Sequence, residues 1–169
     1  MDRNLIQVFG LPRSGTNFME WTLNNNFTDV NYVNIYTKCD TQGLREFGKI
    51  CALKHSYPNF NYSNYVLVIY KTYDEWVKSM KKDGRGSASQ KIYDEYLKIA
   101  NTLPKDKCLL VSFKEAYNNY ESLVNSIGEL INVKPKEIII KPTGRLTRGG
   151  AGAGETNEKF KLLDRDWET

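Results

Sequence analysis

Residues 5–18, LIQVFGLPRSGTNF, are the most informative stretch of the chain. Leu5 to Phe9 form a short apolar run that ends at Gly10, which is typical of a buried strand. A helical pattern follows over Asn17 to Asn25, and four residues separate Gly10 from Gly15. This order predicts a strand, a tight turn and a helix. The backbone N–H groups of such a turn and the N-terminus of the helix form a site for an anion; a tight turn without a ligand is the alternative.

The turn lacks two residues on which nucleotide hydrolases depend. Their phosphate-binding loop carries Lys after the second glycine, followed by a Ser or Thr that binds Mg²⁺. In this chain Thr16 and Asn17 occupy those two places, and the positive charge lies inside the turn at Arg13. Because phosphoryl transfer from ATP depends on the metal, this departure disfavours a kinase or an ATPase.

The rest of the chain alternates between apolar runs and helical patterns. Three further runs predict strands, at 49–54, 65–70 and 108–112. Helices are predicted at 74–80, 90–100 and 120–131. In the second of these helices, Ile92, Tyr96 and Ile99 recur at helical spacing. We therefore predict one α/β domain over residues 1–169, with three layers and a mostly parallel central sheet between flanking helices. The glycine-rich residues 143–155 predict a mobile loop.

Composition and charge disfavour several classes of protein. A net charge of +4 is too small to require a nucleic acid partner. The three cysteines are scattered and there is one histidine, so neither a disulfide framework nor a metal site is expected. No apolar run approaches the roughly 20 residues that span a bilayer. With no signal-peptide pattern at the N-terminus, we expect a cytoplasmic protein without a membrane partner.

The sequence Pro-Arg-Ser-Gly-Thr, residues 12–16, closely resembles the 5′-phosphosulfate loop of sulfotransferases. The resemblance implies a P-loop NTPase-like fold of the sulfotransferase type and 3′-phosphoadenosine 5′-phosphosulfate as the donor, with no metal. It implies that Arg13 neutralises charge on the bridging oxygen of the leaving phosphate. It places the 5′ end of the donor against Pro12, Arg13, Ser14, Gly15, Thr16 and Asn17. Phe18 falls where cytosolic members carry an aromatic ring that stacks on adenine; plain core packing is the alternative.

A second signature of the family is a strand that ends in Arg, with Ser eight residues later, and both residues hold the 3′-phosphate of the donor. Here Lys71 follows the third predicted strand and Ser79 comes eight residues later. Lysine binds phosphate as a point charge without the two-pronged contact of arginine, so a looser grip is expected. A surface lysine and a solvent-facing hydroxyl are the alternative.

In the cytosolic members of the family that this chain resembles, the general base is a histidine. Cytosolic sulfotransferases carry Lys-Thr-His-Leu-Pro after a strand, and here Lys54 and His55 are adjacent at the end of the second predicted strand. The resemblance therefore implies that His55 takes the proton of the acceptor, while the role of Lys54 stays open because neighbouring strand residues point to opposite faces. Since many family members use a glutamate, Glu46 and Glu20 are reserve candidates.

The C-terminal part carries a weaker match. Arg148 and Gly150 resemble the family's Arg-Lys-Gly segment, which closes over the donor and contacts its 3′-phosphate. Gly149 stands where that segment has Lys, and a basic tail is the alternative. The chain is also short for the family, so an acceptor site that is open, or that is completed by a second copy or another protein, is expected.

These features together predict an enzyme that moves a sulfuryl group from 3′-phosphoadenosine 5′-phosphosulfate to an acceptor hydroxyl or amine. Adenosine 3′,5′-bisphosphate is the expected product. Two alternatives stay open: an ATP-dependent phosphotransferase with the same type of loop, and a nucleotide-binding module without catalysis. The sequence does not identify the acceptor.

Overall fold

The computed structural model describes residues 5–28, 31–32, 57–61, 63–82, 88–142, 146–147 and 161–162. The strands are β1 (Leu5–Phe9), β2 (Asn31–Tyr32), β3 (Tyr65–Tyr70), β4 (Cys108–Ser112), β5 (Leu146–Thr147) and β6 (Lys161–Leu162). The helices are α1 (Thr16–Asn26), α2 (Tyr73–Lys82), α3 (Gln90–Asn101), α4 (Phe113–Asn118) and α5 (Tyr120–Ile131). The predicted strand at 49–54 and most of the predicted loop at 143–155 lie outside these residues.

The main sheet is parallel throughout its described strands. Its order is β2-β1-β3-β4, and β1 pairs in parallel with β2 and β3, while β3 pairs in parallel with β4. The short strands β5 and β6 form a separate antiparallel pair. Parallel neighbours need a crossover between them, and the helical segments after β1, β3 and β4 fit the predicted α/β arrangement. This coarse prediction is confirmed.

Alternate residues of the strands face opposite sides of the sheet and divide the core in two. Ile6 and Val8 of β1 pack with α1, α4 and α5, whereas Phe9 packs with α2 and α3. Because side chains alternate along a strand, each strand contributes to both cores. The helices therefore cover both faces of the sheet.

The helix predicted at 90–100 is confirmed as α3, but not all residues of its apolar spacing are buried. Ile92 is 47% exposed, and the buried residues of the helix are Tyr93, Tyr96 and Ala100. These three lie at positions i, i+3 and i+7, which is also a helical spacing. The apolar pattern allowed two neighbouring stripes, and the packing against the sheet selected the aromatic one.

Helix α1 is buried on nearly all sides, and its C-terminal end is joined to a distant segment. The amide of Asn26, which is fully buried, donates from Nδ2 to the Ile140 carbonyl at 3.0 Å and accepts at Oδ1 from the Ile140 N–H at 2.7 Å. The Asn26 carbonyl accepts from the Lys136 N–H at 2.8 Å. The residues after α5 are thereby held against α1 by three hydrogen bonds.

The end of α5 is closed by a left-handed cap. Asn132 has a φ of 55°, and the Val133 N–H donates to the Gly128 carbonyl at 3.0 Å. A Cβ on Gly128 would lie 2.7 Å from the Val133 carbonyl oxygen. Gly128 therefore allows the chain to turn back closely against the helix that it leaves. In the described part of the chain, no helix combines the length and the apolar character needed to cross a membrane.

Candidate functional site

The turn between β1 and α1 requires a glycine at each end. A Cβ on Gly10 would lie 2.9 Å from the carbonyl oxygen of Ile69 in the neighbouring strand, a backbone atom that cannot move without distorting the sheet. Gly15 has a φ of +104°, which side chains of L-residues rarely adopt. The spacing of the two glycines is thus explained by the path of the backbone.

The turn is tight, and it leads directly into the first residues of α1. The Ser14 N–H donates to the Leu11 carbonyl at 3.1 Å, and the Met19 N–H donates to the Gly15 carbonyl at 3.0 Å. Arg13 has a φ of 68°, a left-handed conformation that costs a non-glycine residue about 1 kcal/mol. Left-handed and right-handed residues in succession turn backbone N–H groups towards one point, as in anion-binding turns.

The electrostatic character of this end of α1 favours an anion. The helix has no acidic residue in its first turn, and the N-cap, Gly15, makes no side-chain cap. The first turn of any helix lacks carbonyl partners four residues back, and the helix dipole is positive there. Ser14 and Thr16 are buried beside this end, at 2% and 5% exposure. The arrangement can bind one phosphate-sized anion.

Lys71 lies at the same edge of the sheet as the turn. It follows β3 directly, and β3 is the parallel neighbour of β1, so the carboxyl ends of both strands meet there. Its ammonium group lies 5.0 Å from the centroid of the Phe113 ring. The same ring lies against the turn, since a Cβ on Gly15 would come within 2.6 Å of it. One aromatic ring therefore lies next to both the turn and a second positive charge.

Ser79 lies within α2, eight positions after Lys71. It is a half-buried residue of α2. It lies six positions beyond Tyr73, the first residue of that helix, or about 9 Å along the axis. The helix begins at this edge with a capping box, in which the Thr72 N–H donates to Glu75 Oε1 at 3.0 Å and the Glu75 N–H donates to Thr72 Oγ1 at 3.3 Å. Thr72 is thus the N-cap of α2.

Phe18 takes the position of a core residue. It is 2% exposed, and its ring contacts Phe113 edge-on at 5.3 Å between centroids and Tyr120 edge-on at 5.6 Å. A ring enclosed in this way offers no open face on which a base can stack. The expectation of an adenine contact at Phe18 is corrected to its alternative, core packing. Glu20 of the same helix is also buried, at 5% exposure.

Several predicted site residues lie outside the described residues. These are Lys54, His55, Glu46, Arg148 and Gly150. Their predicted roles stay predictions. Among the residues that the structure does describe, no group of three His, Cys, Asp or Glu is arranged to hold a metal ion.

The sequence did not reveal a group of aromatic residues behind the turn. Tyr73 and Trp76 of α2 and Tyr93 of α3 have ring centroids between 5.4 and 6.2 Å apart. The Trp76 indole N–H donates to the Pro12 carbonyl at 2.8 Å, across 64 positions of sequence. Aromatic residues on a helix indicate core packing, but nothing in the sequence indicates which carbonyl accepts from the indole.

The hydroxyl of Tyr93 makes the second polar contact of this group. It donates to the Lys71 carbonyl at 2.6 Å. Burial raises the pKa of Tyr93, and the nearby charges of Tyr70, Asp94 and Glu75 raise it further. The hydroxyl therefore keeps its proton, and the hydrogen bond to the backbone of Lys71 persists at physiological pH.

Comparisons with known proteins do not assign the chain to a family. No protein-family model matches the sequence, and a search of curated proteins finds no match. The site is therefore interpreted from its own geometry and chemistry.

Proposed function

We propose that this protein is a sulfotransferase that uses 3′-phosphoadenosine 5′-phosphosulfate. The observation that carries the proposal is the pairing of two positive groups at one edge of the sheet. Arg13 lies inside the phosphate-type turn, and the Lys71 ammonium lies 5.0 Å from the centroid of the Phe113 ring, which packs against the turn. Two separate cationic places suit a ligand with two separate anionic groups, as in a nucleotide that is phosphorylated at both the 5′ and the 3′ positions.

The chemistry of the turn supports sulfuryl transfer over phosphoryl transfer. The places of the P-loop lysine and of the metal-binding hydroxyl are taken by Thr16 and Asn17. In sulfuryl transfer the acceptor oxygen or nitrogen attacks sulfur, and the bond from sulfur to the bridging oxygen breaks. Adenosine 3′,5′-bisphosphate then leaves with the additional negative charge, so that a cation at the 5′ end can stabilise it without a metal.

Each residue has a distinct part in the proposal. Arg13 and the N–H groups at the start of α1 stabilise the charge on the leaving 5′-phosphate. Preorganised donors of this kind contribute most when charge develops in the transition state. Lys71, with Ser79, binds the 3′-phosphate, and Arg148 and Gly150 close over it.

The acceptor side of the proposal rests on the sequence resemblance. His55 takes the proton that the acceptor hydroxyl or amine releases, with Lys54 beside it. Histidine titrates near neutral pH and suits this role. The proposed reaction takes place in the cytoplasm.

Calorimetry on adenosine 3′,5′-bisphosphate and AMP tests the proposal. The two ligands share the 5′-phosphate and differ at the 3′ position, so their affinity ratio measures the second anionic contact. We expect wild-type protein to prefer the bisphosphate without added metal. The variant Lys71→Ala should lose most of that preference, and Lys71→Arg should keep or increase it, since the guanidinium group can add a second charge-assisted hydrogen bond.

Lys105→Ala is the matched control. Lys105 is an exposed lysine just before β4 and lies at the opposite edge of the sheet. Its loss should leave both affinities unchanged. An unchanged affinity ratio in Lys71→Ala would contradict the assignment of the 3′-phosphate site. Binding of ATP that needs Mg²⁺ would instead support a phosphotransferase, and bisphosphate binding without transfer to any acceptor would support a binding module.

A further inference from the structure

The backbones of the turn and of Lys71 each accept a hydrogen bond from one packed group of three aromatic residues. We call Tyr73, Trp76 and Tyr93 the aromatic clamp. Trp76 and Tyr93 are buried, at 3% and 8% exposure, and their ring centroids are 5.7 Å apart. Tyr73 contacts both rings, at 6.2 Å from Trp76 and 5.4 Å from Tyr93. The clamp is therefore one packed unit that spans α2 and α3.

Trp76 and Tyr93 of the clamp donate to different targets. The Trp76 indole N–H donates to the carbonyl of Pro12, the residue directly before Arg13. The Tyr93 hydroxyl donates to the carbonyl of Lys71. Both targets are backbone atoms, so the clamp fixes where the chain runs at the turn and at the end of β3. The packing of Trp76 on Tyr93 thus connects the two backbone contacts.

The two hydrogen bonds of the clamp lie on one side of the sheet, and Phe113 lies on the other. The clamp belongs to the core between the sheet and α2 and α3, whereas Phe113 belongs to the core on the other face. Lys71 is consequently held at its carbonyl from one side, while its ammonium lies over the Phe113 ring on the other. The turn is contacted from the same two sides. Trp76 donates to its Pro12 carbonyl on one side, and Phe113 lies against Gly15 on the other.

We propose that Trp76 and Tyr93 are positioning residues that set the spacing between the turn and Lys71, and so determine preference for a doubly phosphorylated nucleotide. This inference rests on the proposed function. Arg13 has a left-handed backbone conformation, which persists only when its surroundings hold it. The Trp76 contact at the preceding residue supplies such a restraint. The Tyr93 hydroxyl donates to Lys71 and so acts on the 3′ side.

Two conservative variants separate the two positioning roles. Trp76→Phe keeps an aromatic ring and removes the N–H donor, so the turn loosens and both adenosine 3′,5′-bisphosphate and AMP should bind about three- to tenfold more weakly. Tyr93→Phe removes only the hydroxyl. It should weaken the bisphosphate by a similar factor and leave AMP unchanged. A merely structural role of Tyr93 would instead weaken both ligands by the same factor.

The chain offers a matched control for the loss of a tyrosine hydroxyl. Tyr96 lies on the same helix as Tyr93 and is 2% exposed, and its hydroxyl has no hydrogen-bond partner among the described residues. Tyr96→Phe should therefore change neither affinity. Replacement of Trp76 by benzothienylalanine, which keeps the bicyclic ring and lacks the N–H, controls for the volume lost in Trp76→Phe and should reproduce its effect.

Hydrogen exchange of the Ser14 amide distinguishes a failure of the clamp from a failure of the proposed function. This amide donates to the Leu11 carbonyl within the turn. Its exchange in the ligand-free protein should accelerate by about three- to tenfold when Trp76 loses its N–H, and should stay the same in Tyr93→Phe and Tyr96→Phe. Wild-type protein that binds neither nucleotide would refute the function and leave the exchange result to test the clamp. Unchanged Ser14 exchange in both Trp76 variants, or equal weakening of both ligands in Tyr93→Phe, would overturn the inference.

Discussion

Replacement of Asn26 by alanine should destabilise the protein far more than an ordinary surface change. The side chain is fully buried, and its Nδ2 lies within 3.1 Å of three acceptors, the Thr22 carbonyl, the Tyr120 hydroxyl and the Ile140 carbonyl. An amide nitrogen has two protons, so it can make two good bonds at a time, and Oδ1 accepts a third from the Ile140 N–H. At about 1 kcal/mol for each bond, the loss is on the order of 3 kcal/mol.

The neighbouring residue provides the control. Asn25 is also buried, but its Nδ2 donates to the Trp21 carbonyl of its own helix at 2.8 Å. Asn25→Ala removes that local bond and leaves the residues after α5 in place, so its cost should be about 1 kcal/mol. Urea unfolding, followed by fluorescence and circular dichroism, gives both free energies of unfolding. If the cost of Asn26→Ala lies within about 1 kcal/mol of the cost of Asn25→Ala, the joining role of Asn26 is refuted.

Three further changes test other parts of the structure. Gly15→Ala should reduce stability by about 1–2 kcal/mol and weaken nucleotide binding, because its φ of +104° strains any side chain; native calorimetric binding would contradict this. Gly128→Ala should destabilise the protein, although alanine usually favours a helix, because the new Cβ would lie 2.7 Å from the Val133 carbonyl oxygen. The control Asn125→Ala, at an exposed position of the same helix, should leave the stability in thermal melts unchanged or raise it. Burial raises the pKa of the Cys108 thiol to about 11, and the charge of a nearby lysine lowers this pKa by a smaller amount. The stability that this thiol contributes is complete below its ordinary value of 9.0 and should fall as the pH rises towards 11, because the unfolded chain releases the proton first. A pH series of urea unfolding on wild type and Cys108→Ala should show a steeper alkaline loss in wild type, and equal slopes would count against the shift.

Local patterns in the sequence predicted the elements near the site well. The apolar run before Gly10 became β1, and the helical pattern after the turn became α1, which begins at Thr16, one residue before the predicted start. Two strands at 65–70 and 108–112 were also found at their predicted positions. Strand and helix patterns depend on side-chain alternation between neighbours in the chain, so they can be seen without the fold.

The packing of individual side chains was harder to predict from the sequence. Phe18 was equally compatible with base stacking and with core packing, and only its contacts with Phe113 and Tyr120 show the second. Ile92 and Tyr93 are adjacent on one helix, and the contact with the sheet selected Tyr93 for burial. Hydrophobic periodicity identifies an amphipathic helix, but it does not orient that helix to within one residue.

The sequence by itself determined strands β1, β3 and β4, helices α1, α2, α3 and α5, the parallel α/β class and the glycine-bounded turn, because each of these follows from residues close together in the chain. Only the tertiary structure decided how the turn is held and what lies beside it. The Trp76 bond to Pro12 spans 64 positions, and the Asn26 bonds to Ile140 span 114. A hydrogen bond depends on donor and acceptor atoms meeting at about 3 Å with suitable angles. For residues so far apart in the chain, that meeting is set by the packing of whole helices against the sheet.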